Sequence, residues 1–115
     1  DQLFASDGNN ILLGGGGADQ IFSGAGDDYI DAGDGDDEVY ASTGADVVFG
    51  GRGQDRITGF SALALSLDGG EGDDYLAADL GDDTLRGGEG HDVLGGGEGR
   101  DGLDGGLGND TYRFT

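Results

Sequence analysis

The chain has 115 residues, of which 29 are Gly and 25 are Asp or Glu, against only five Arg or Lys; the net charge is −20. So much Gly excludes long helices, and the charge excludes nucleic acid and anionic membrane surfaces, both of which would repel it. The absence of Cys removes disulfides and thiolate chemistry, and no apolar run approaches the ~20 residues that span a bilayer. The length suits one domain. On composition alone the chain reads as disordered unless something neutralises its carboxylates.

A nine-residue period runs through almost the whole chain. Asp1-Gln2-Leu3-Phe4 matches Asp19-Gln20-Ile21-Phe22. The chain is therefore expected to begin inside a unit, as a segment of a longer array without a targeting leader of its own. Six nonamers cover 5–58, a departure covers 59–68, and five nonamers cover 69–113. The sixth place holds Asp19, Asp28, Asp37, Asp46, Asp55, Asp74, Asp83, Asp92, Asp101 and Asp110, with Asn10 in the first unit. The fourth place is Gly in every unit, and the eighth is apolar or aromatic, from Leu12 and Ile21 to Leu103 and Tyr112.

Places one to six are small and Gly-rich, which predicts a tight turn. Places seven to nine predict a short strand with its central side chain facing inward and its neighbours outward. Two nonamers then make one coil of a flattened helix, with coils stacked ~4.8 Å apart like parallel strands. One inward apolar residue in nine makes a thin core that cannot hold the fold alone.

Residues 59–68 break the phase. Counted forward, Ala64 takes the sixth place and Ser66 faces inward; counted back from Gly69, Leu67 faces inward. The second count is preferred, because an inward Leu costs less than an inward Ser. The segment then reads as a degenerate half-coil with a one-residue bulge, so that 1–58 and 69–115 form one continuous roll. The alternative is a linker dividing two rolls.

The pattern G-G-x-G-x-D-x-U-x, repeated in phase, resembles the repeats-in-toxin (RTX) family of secreted bacterial proteins, whose nonapeptide is a known calcium-binding β-helix repeat. The resemblance implies an all-β fold, a right-handed parallel β-roll with calcium between coils. The physics agrees: Asp residues 18 apart would stack on one edge and repel, and a calcium ion between them, which takes six to eight oxygen ligands, reverses that interaction.

In the family, carbonyls at places two and four and the Asp of one turn share an ion with carbonyls at places one and three and the Asp of the next coil. Carried over, Asp19 and Asp37 would share an ion with Gly15, Gly17, Ala32 and Asp34. Asp28 and Asp46 would use Gly24, Gly26, Ala41 and Thr43, while Asp37 and Asp55 would use Gly33, Gly35, Gly50 and Arg52. Asp74 and Asp92 would use Gly70, Gly72, Gly87 and Glu89, and Asp83 and Asp101 would use Asp79, Gly81, Gly96 and Glu98. Asp92 and Asp110 would use Gly88, Gly90, Gly105 and Leu107. Those are six full motifs. Three further pairs depart from the motif: Asn10 with Asp28 lacks a charge, Asp55 with Asp74 is spaced 19 and straddles the break, and Asp1 with Asp19 lacks the carbonyls of one turn. Six to nine divalent ions would offset most of the −20.

The resemblance further implies a non-enzymatic module that folds on meeting calcium outside the cell, after one-step (type I) export, and supports a larger secreted bacterial protein. A polysaccharide-binding module, of the kind that acts with enzymes on alginate-type polymers, is the alternative, although the five Arg residues are scattered. An adhesin spacer or dimerisation module is a third. Ile11, Leu13, Tyr29, Val47 and Phe49 should lie outward on one sheet, and Phe4, Phe22 and Tyr40 on the other. Strand propensity is the preferred explanation of such residues, and a surface for self-association or domain packing is the alternative. His91 is expected in solvent at place five, without a catalytic role. Paired carboxylates such as Asp27-Asp28 recur every nine residues, which argues against an active site. Tyr112, Arg113 and Phe114 read as the start of a cap.

Overall fold

The computed structural model describes residues 1–114 and contains thirteen strands and, among the described residues, no helix. The strands are β1 (Gln2–Phe4), β2 (Ile11–Leu13), β3 (Gln20–Phe22), β4 (Tyr29–Asp31), β5 (Glu38–Ala41), β6 (Val47–Arg52), β7 (Arg56–Gly59), β8 (Ser66–Glu71), β9 (Tyr75–Ala77), β10 (Thr84–Glu89), β11 (Val93–Gly95), β12 (Gly102–Leu107) and β13 (Thr111–Arg113). Odd-numbered strands form a seven-stranded sheet and even-numbered strands a six-stranded one, each in strict succession. Every pairing is parallel, with residue i opposite i+18, as in Ile21 with Val39 and Ile30 with Val48, except that β6 with β8 and β7 with β9 are spaced 19. The fold is an all-β parallel solenoid with two nonamers to the coil, flattened to 35 × 31 × 15 Å.

The core is one side chain thick. Ile21, Val39, Ile57, Leu76 and Leu94 from one sheet meet Ile30, Val48, Leu67 and Leu85 from the other, all buried. Each contributes roughly 1.5–3 kcal/mol of burial. Leu3, Leu12 and Leu103, near the ends of the stack, are only partly buried. Tyr112 and Arg113 continue the sheet opposite Leu94 and Gly95, the Tyr112 hydroxyl accepts the Gly105 amide at 2.8 Å, and Phe114 is exposed.

Across residues 59–68 the ladder shifts by one. Val47 pairs with Ser66 and Val48 with Leu67, a spacing of 19, and spacing 18 resumes at Leu67 with Leu85. Ala41 still pairs with Gly59, so the extra residue lies in the turn between Gly59 and Leu65. Leu67 faces inward, as the backward count predicts.

Four strands run to six residues, twice the three predicted. β6, β8, β10 and β12 each run on into the following turn, where Gly51 pairs with Gly70 and Arg52 with Glu71. The turns are thus hydrogen-bonded from coil to coil. Their glycines are constrained in two ways. Gly35 adopts φ +121°, and a Cβ there would strike the carbonyl of Gly17 in the coil below. Gly33, at place two, has φ +96° and the same conflict with Gly15.

The two edges differ in a way that the repeat alone conceals. Turns entering the odd-numbered strands all have Gly at place two (Gly15, Gly33, Gly51, Gly70, Gly88, Gly106), every one at positive φ. Turns entering the even-numbered strands hold Ser6, Gly24, Ser42, Phe60, Asp79 and Gly97 there, and no non-Gly residue among those described has positive φ. The first edge is uniform and the second is not.

Candidate metal sites between the coils

The sixth-place carboxylates form a ladder along each edge. Oδ1 of each Asp accepts the backbone N–H of the sixth-place residue one coil earlier. Asp19 donates to Asp37 (2.8 Å), Asp37 to Asp55 (2.9 Å), Asp55 to Asp74 (2.8 Å), Asp74 to Asp92 (2.8 Å) and Asp92 to Asp110 (3.0 Å). On the second edge Asp28 donates to Asp46 (2.8 Å) and Asp83 to Asp101 (2.9 Å). The side chain tucks under its own turn. At Gly14, Gly50 and Gly87 a Cβ would press against Oδ2 of Asp19, Asp55 and Asp92, which explains the small residue at place one.

The other oxygen carries the functional argument. Oδ2 of Asp19, Asp28, Asp37, Asp46, Asp55, Asp74, Asp83 and Asp92 is buried without a hydrogen-bond partner. A buried unpaired carboxylate oxygen is costly, and here it recurs at every interior coil. Burial, reinforced by neighbouring carboxylates, pushes Asp37, Asp46 and Asp55 up to about 6 and Asp74 up to about 8. Asp83 and Asp92 are raised for the same reason. A cation between the coils would answer both the missing partner and the repulsion. Among the described residues no group of three or more acidic or His side chains converges. Any ion must therefore rely on carboxylate pairs plus backbone carbonyls, a donor set that suits a hard, oxygen-seeking ion such as calcium.

Several of those carbonyls already serve the stack. Gly15 and Gly33 oxygens accept from Asp34 and Arg52 amides, and Arg52 and Glu89 oxygens accept from Gly35 and Gly72 amides. Each carbonyl keeps a second lone pair. Asp55 with Asp74, spaced 19, has the geometry of the regular pairs: the Asp55–Asp74 bond is matched by Gly53 donating to Glu71 at 2.9 Å, as Gly35 donates to Arg52 at 2.8 Å. The inserted residue lies on the opposite edge, so this turn is undisturbed.

Asn10 behaves differently. Its Nδ2 donates to the carbonyls of Ser6 (2.8 Å) and Gly8 (3.0 Å), the place-two and place-four oxygens of its own turn. The amide thus bonds the two carbonyls that the scheme assigns to an ion at the Asn10–Asp28 pair. At Asp1, the terminal amine donates to Oδ1 of Asp19 at 2.9 Å.

A second ladder runs through place five, which the motif leaves undefined. Asp27, Asp36, Asp73 and Asp82 accept from the amides of Ala45, Gln54, His91 and Arg100 one coil later, at 2.8–2.9 Å. His91, expected only to be solvated, is exposed but joins this ladder: its Nδ1 accepts from the Asn109 amide at 3.0 Å. The sequence signal for it is the Asp or Asn that precedes the sixth place in several units.

Of the outward residues, Ile11 and Leu13 are strongly exposed and Tyr29 and Phe49 more than a third so, while Val47 is intermediate. On the other sheet Phe4, Phe22 and Tyr40 stack face to face with centroids 4.8 and 5.0 Å apart, and Phe60 joins them at 6.3 Å. Two of the scattered arginines, Arg56 and Arg113, each lie over the ring of Tyr75, 5.0 and 5.5 Å from its centroid.

No curated protein matches the chain. The family model of the RTX calcium-binding nonapeptide repeat matches four times, over residues 1–30, 31–59, 66–85 and 78–112, leaving the heart of the half-coil, 60–65, outside. With the nonamer phase, the parallel solenoid and the ladders of buried carboxylates all on one scheme, the chain belongs to the RTX calcium-binding repeat family.

Proposed function

We propose that this module folds on binding calcium and acts as the extracellular folding and stabilising unit of a larger secreted bacterial protein, without catalysis of its own. The observation that carries the reading is the series of eight buried, unpartnered Asp Oδ2 atoms, one to each regular interior nonamer from Asp19 to Asp92. Without ions these groups oppose folding; with ions they join each coil to the next. Residues 1–115 act as one unit, since both sheets pair without interruption across 59–68.

Seven sites have a full donor set. Five lie on the first edge, between Asp19 and Asp37, Asp37 and Asp55, Asp55 and Asp74, Asp74 and Asp92, and Asp92 and Asp110. Two lie on the second, between Asp28 and Asp46 and between Asp83 and Asp101. Extracellular calcium modules typically bind at about 10⁻⁴–10⁻³ M, a concentration met outside the cell. An export-competent unfolded chain inside and a folded one outside follow from that difference and from mass action.

Circular dichroism in EDTA and in about 10 mM calcium tests the switch. Strand signal should appear cooperatively with calcium; equal signal in both conditions would refute it.

A further inference from the structure

Resting on the calcium reading above, we infer that the half-coil 59–65 is a metal-independent clasp: at this one turn Leu65 and Ser61 take the places that a carboxylate and an ion hold elsewhere. The second edge then binds calcium as two separate groups, and the first edge as one unbroken row.

Leu65 stands at the sixth place. Its amide donates to Oδ1 of Asp83 at 2.8 Å, the bond made by every regular sixth-place residue. Its side chain is buried and fills the space in front of Gly59, just as the Asp74 carboxylate fills the space in front of Gly69. An apolar group thus sits in the carboxylate's pocket, with no desolvation cost and no oxygen for a cation.

Ser61 supplies the missing link to the coil below. Its hydroxyl donates to the Gly44 carbonyl at 2.7 Å and accepts the amides of Gly44 (3.2 Å) and Leu63 (3.0 Å). Gly44 is the place-four residue of its turn, and its carbonyl is the one a regular site would offer to an ion shared with the next coil. Ser61 is itself buried, so these bonds are shielded from water. Phe60, at place two, lacks the positive φ of the regular turns and instead stacks on Tyr40. Asn10 makes a similar exchange, hydrogen-bonding its own turn's carbonyls. The family model passes over this stretch, 60–65, as expected of a turn built on another plan.

The test compares Ser61→Ala and Leu65→Ala with Asp46→Asn, by isothermal calorimetry with calcium chloride and by thermal melting. Both clasp variants should bind the same number of ions as the unsubstituted protein while melting several degrees lower and needing severalfold more calcium to fold. Asp46→Asn should lose one ion. Loss of an ion in Ser61→Ala, or an unchanged melting temperature in it, would overturn the clasp; Ser61→Ala removes only a hydroxyl and keeps the result readable if Leu65→Ala does not fold. An unsubstituted chain that bound no calcium would refute the calcium reading, and the clasp, which needs no metal, would still stand or fall on the melting temperatures.

Discussion

Asp55 donates its backbone amide to Oδ1 of Asp74 at 2.8 Å, the bond that elsewhere joins residues eighteen apart, although nineteen separate this pair. The extra residue is absorbed on the opposite edge, so the carboxylate row that begins at Asp19 runs unbroken to Asp110.

On the proposed calcium reading, Asp74 would be a shared ligand of two adjacent sites. Asp74→Asn keeps an acceptor for the Asp55 amide but removes the charge. Calcium calorimetry should show fewer ions bound, and the folding midpoint should rise about tenfold in calcium, a change on the order of 1.4 kcal/mol. Asp7→Asn, at an exposed position outside the ladder, should leave both unchanged.

The metal-free chain should respond to acid in an unusual direction. Burial raises Asp37, Asp46 and Asp55 to about 6 and Asp74 to about 8, from 3.8. The folded state therefore holds protons that the unfolded state releases, and the stability of the fold rises as pH falls. The gain should begin as pH drops through about 8 and be complete near 3.8. In chelator, strand signal by circular dichroism should thus be greater at pH 5 than at pH 8. With calcium present the order should reverse, because protons compete for the same oxygens.

Two glycines in the turns of adjacent coils should differ sharply on substitution. Gly35→Ala meets both a φ of +121° and the Gly17 carbonyl, and should cost more than about 1–2 kcal/mol. Gly16→Ala meets nothing within 4 Å and is not at positive φ, so it should be neutral or stabilise by about 0.4–1 kcal/mol. Denaturant melts in saturating calcium would measure both.

The place-five ladder predicts a contrast at Asp27. Asp27→Asn preserves an acceptor for the Ala45 amide, bonded at 2.8 Å, and should be nearly neutral. Asp27→Ala should cost about 0.5–1.5 kcal/mol. Equal effects in the same melts would mean that the charge, and not the hydrogen bond, is what matters there.

The nine-residue phase of the Asp, Gly and apolar columns was legible because each place does one job in every coil. Ile30 and Val48 could be placed in the core, and Asp28 and Asp46 on one edge, from spacing alone. The place-five ladder was missed because its acceptors change type along the stack, from Asn9 to Asp27, Asp36 and His91, and share only an acceptor atom at the right height. Asn10 read as a weakened ligand, since nothing in its position shows that its amide reaches back to Ser6 and Gly8.

The sequence by itself thus determined the strand period, the inward column and the identity of the stacked carboxylates, because a solenoid repeats its local chemistry at fixed intervals. Only the tertiary structure decided where the extra residue goes, that Leu65 takes a carboxylate's pocket, and that the two edges are unequal. Those outcomes depend on which coil lies above and below. The Ser61 hydroxyl on the Gly44 carbonyl joins residues seventeen apart on adjacent coils, and no local pattern specifies it.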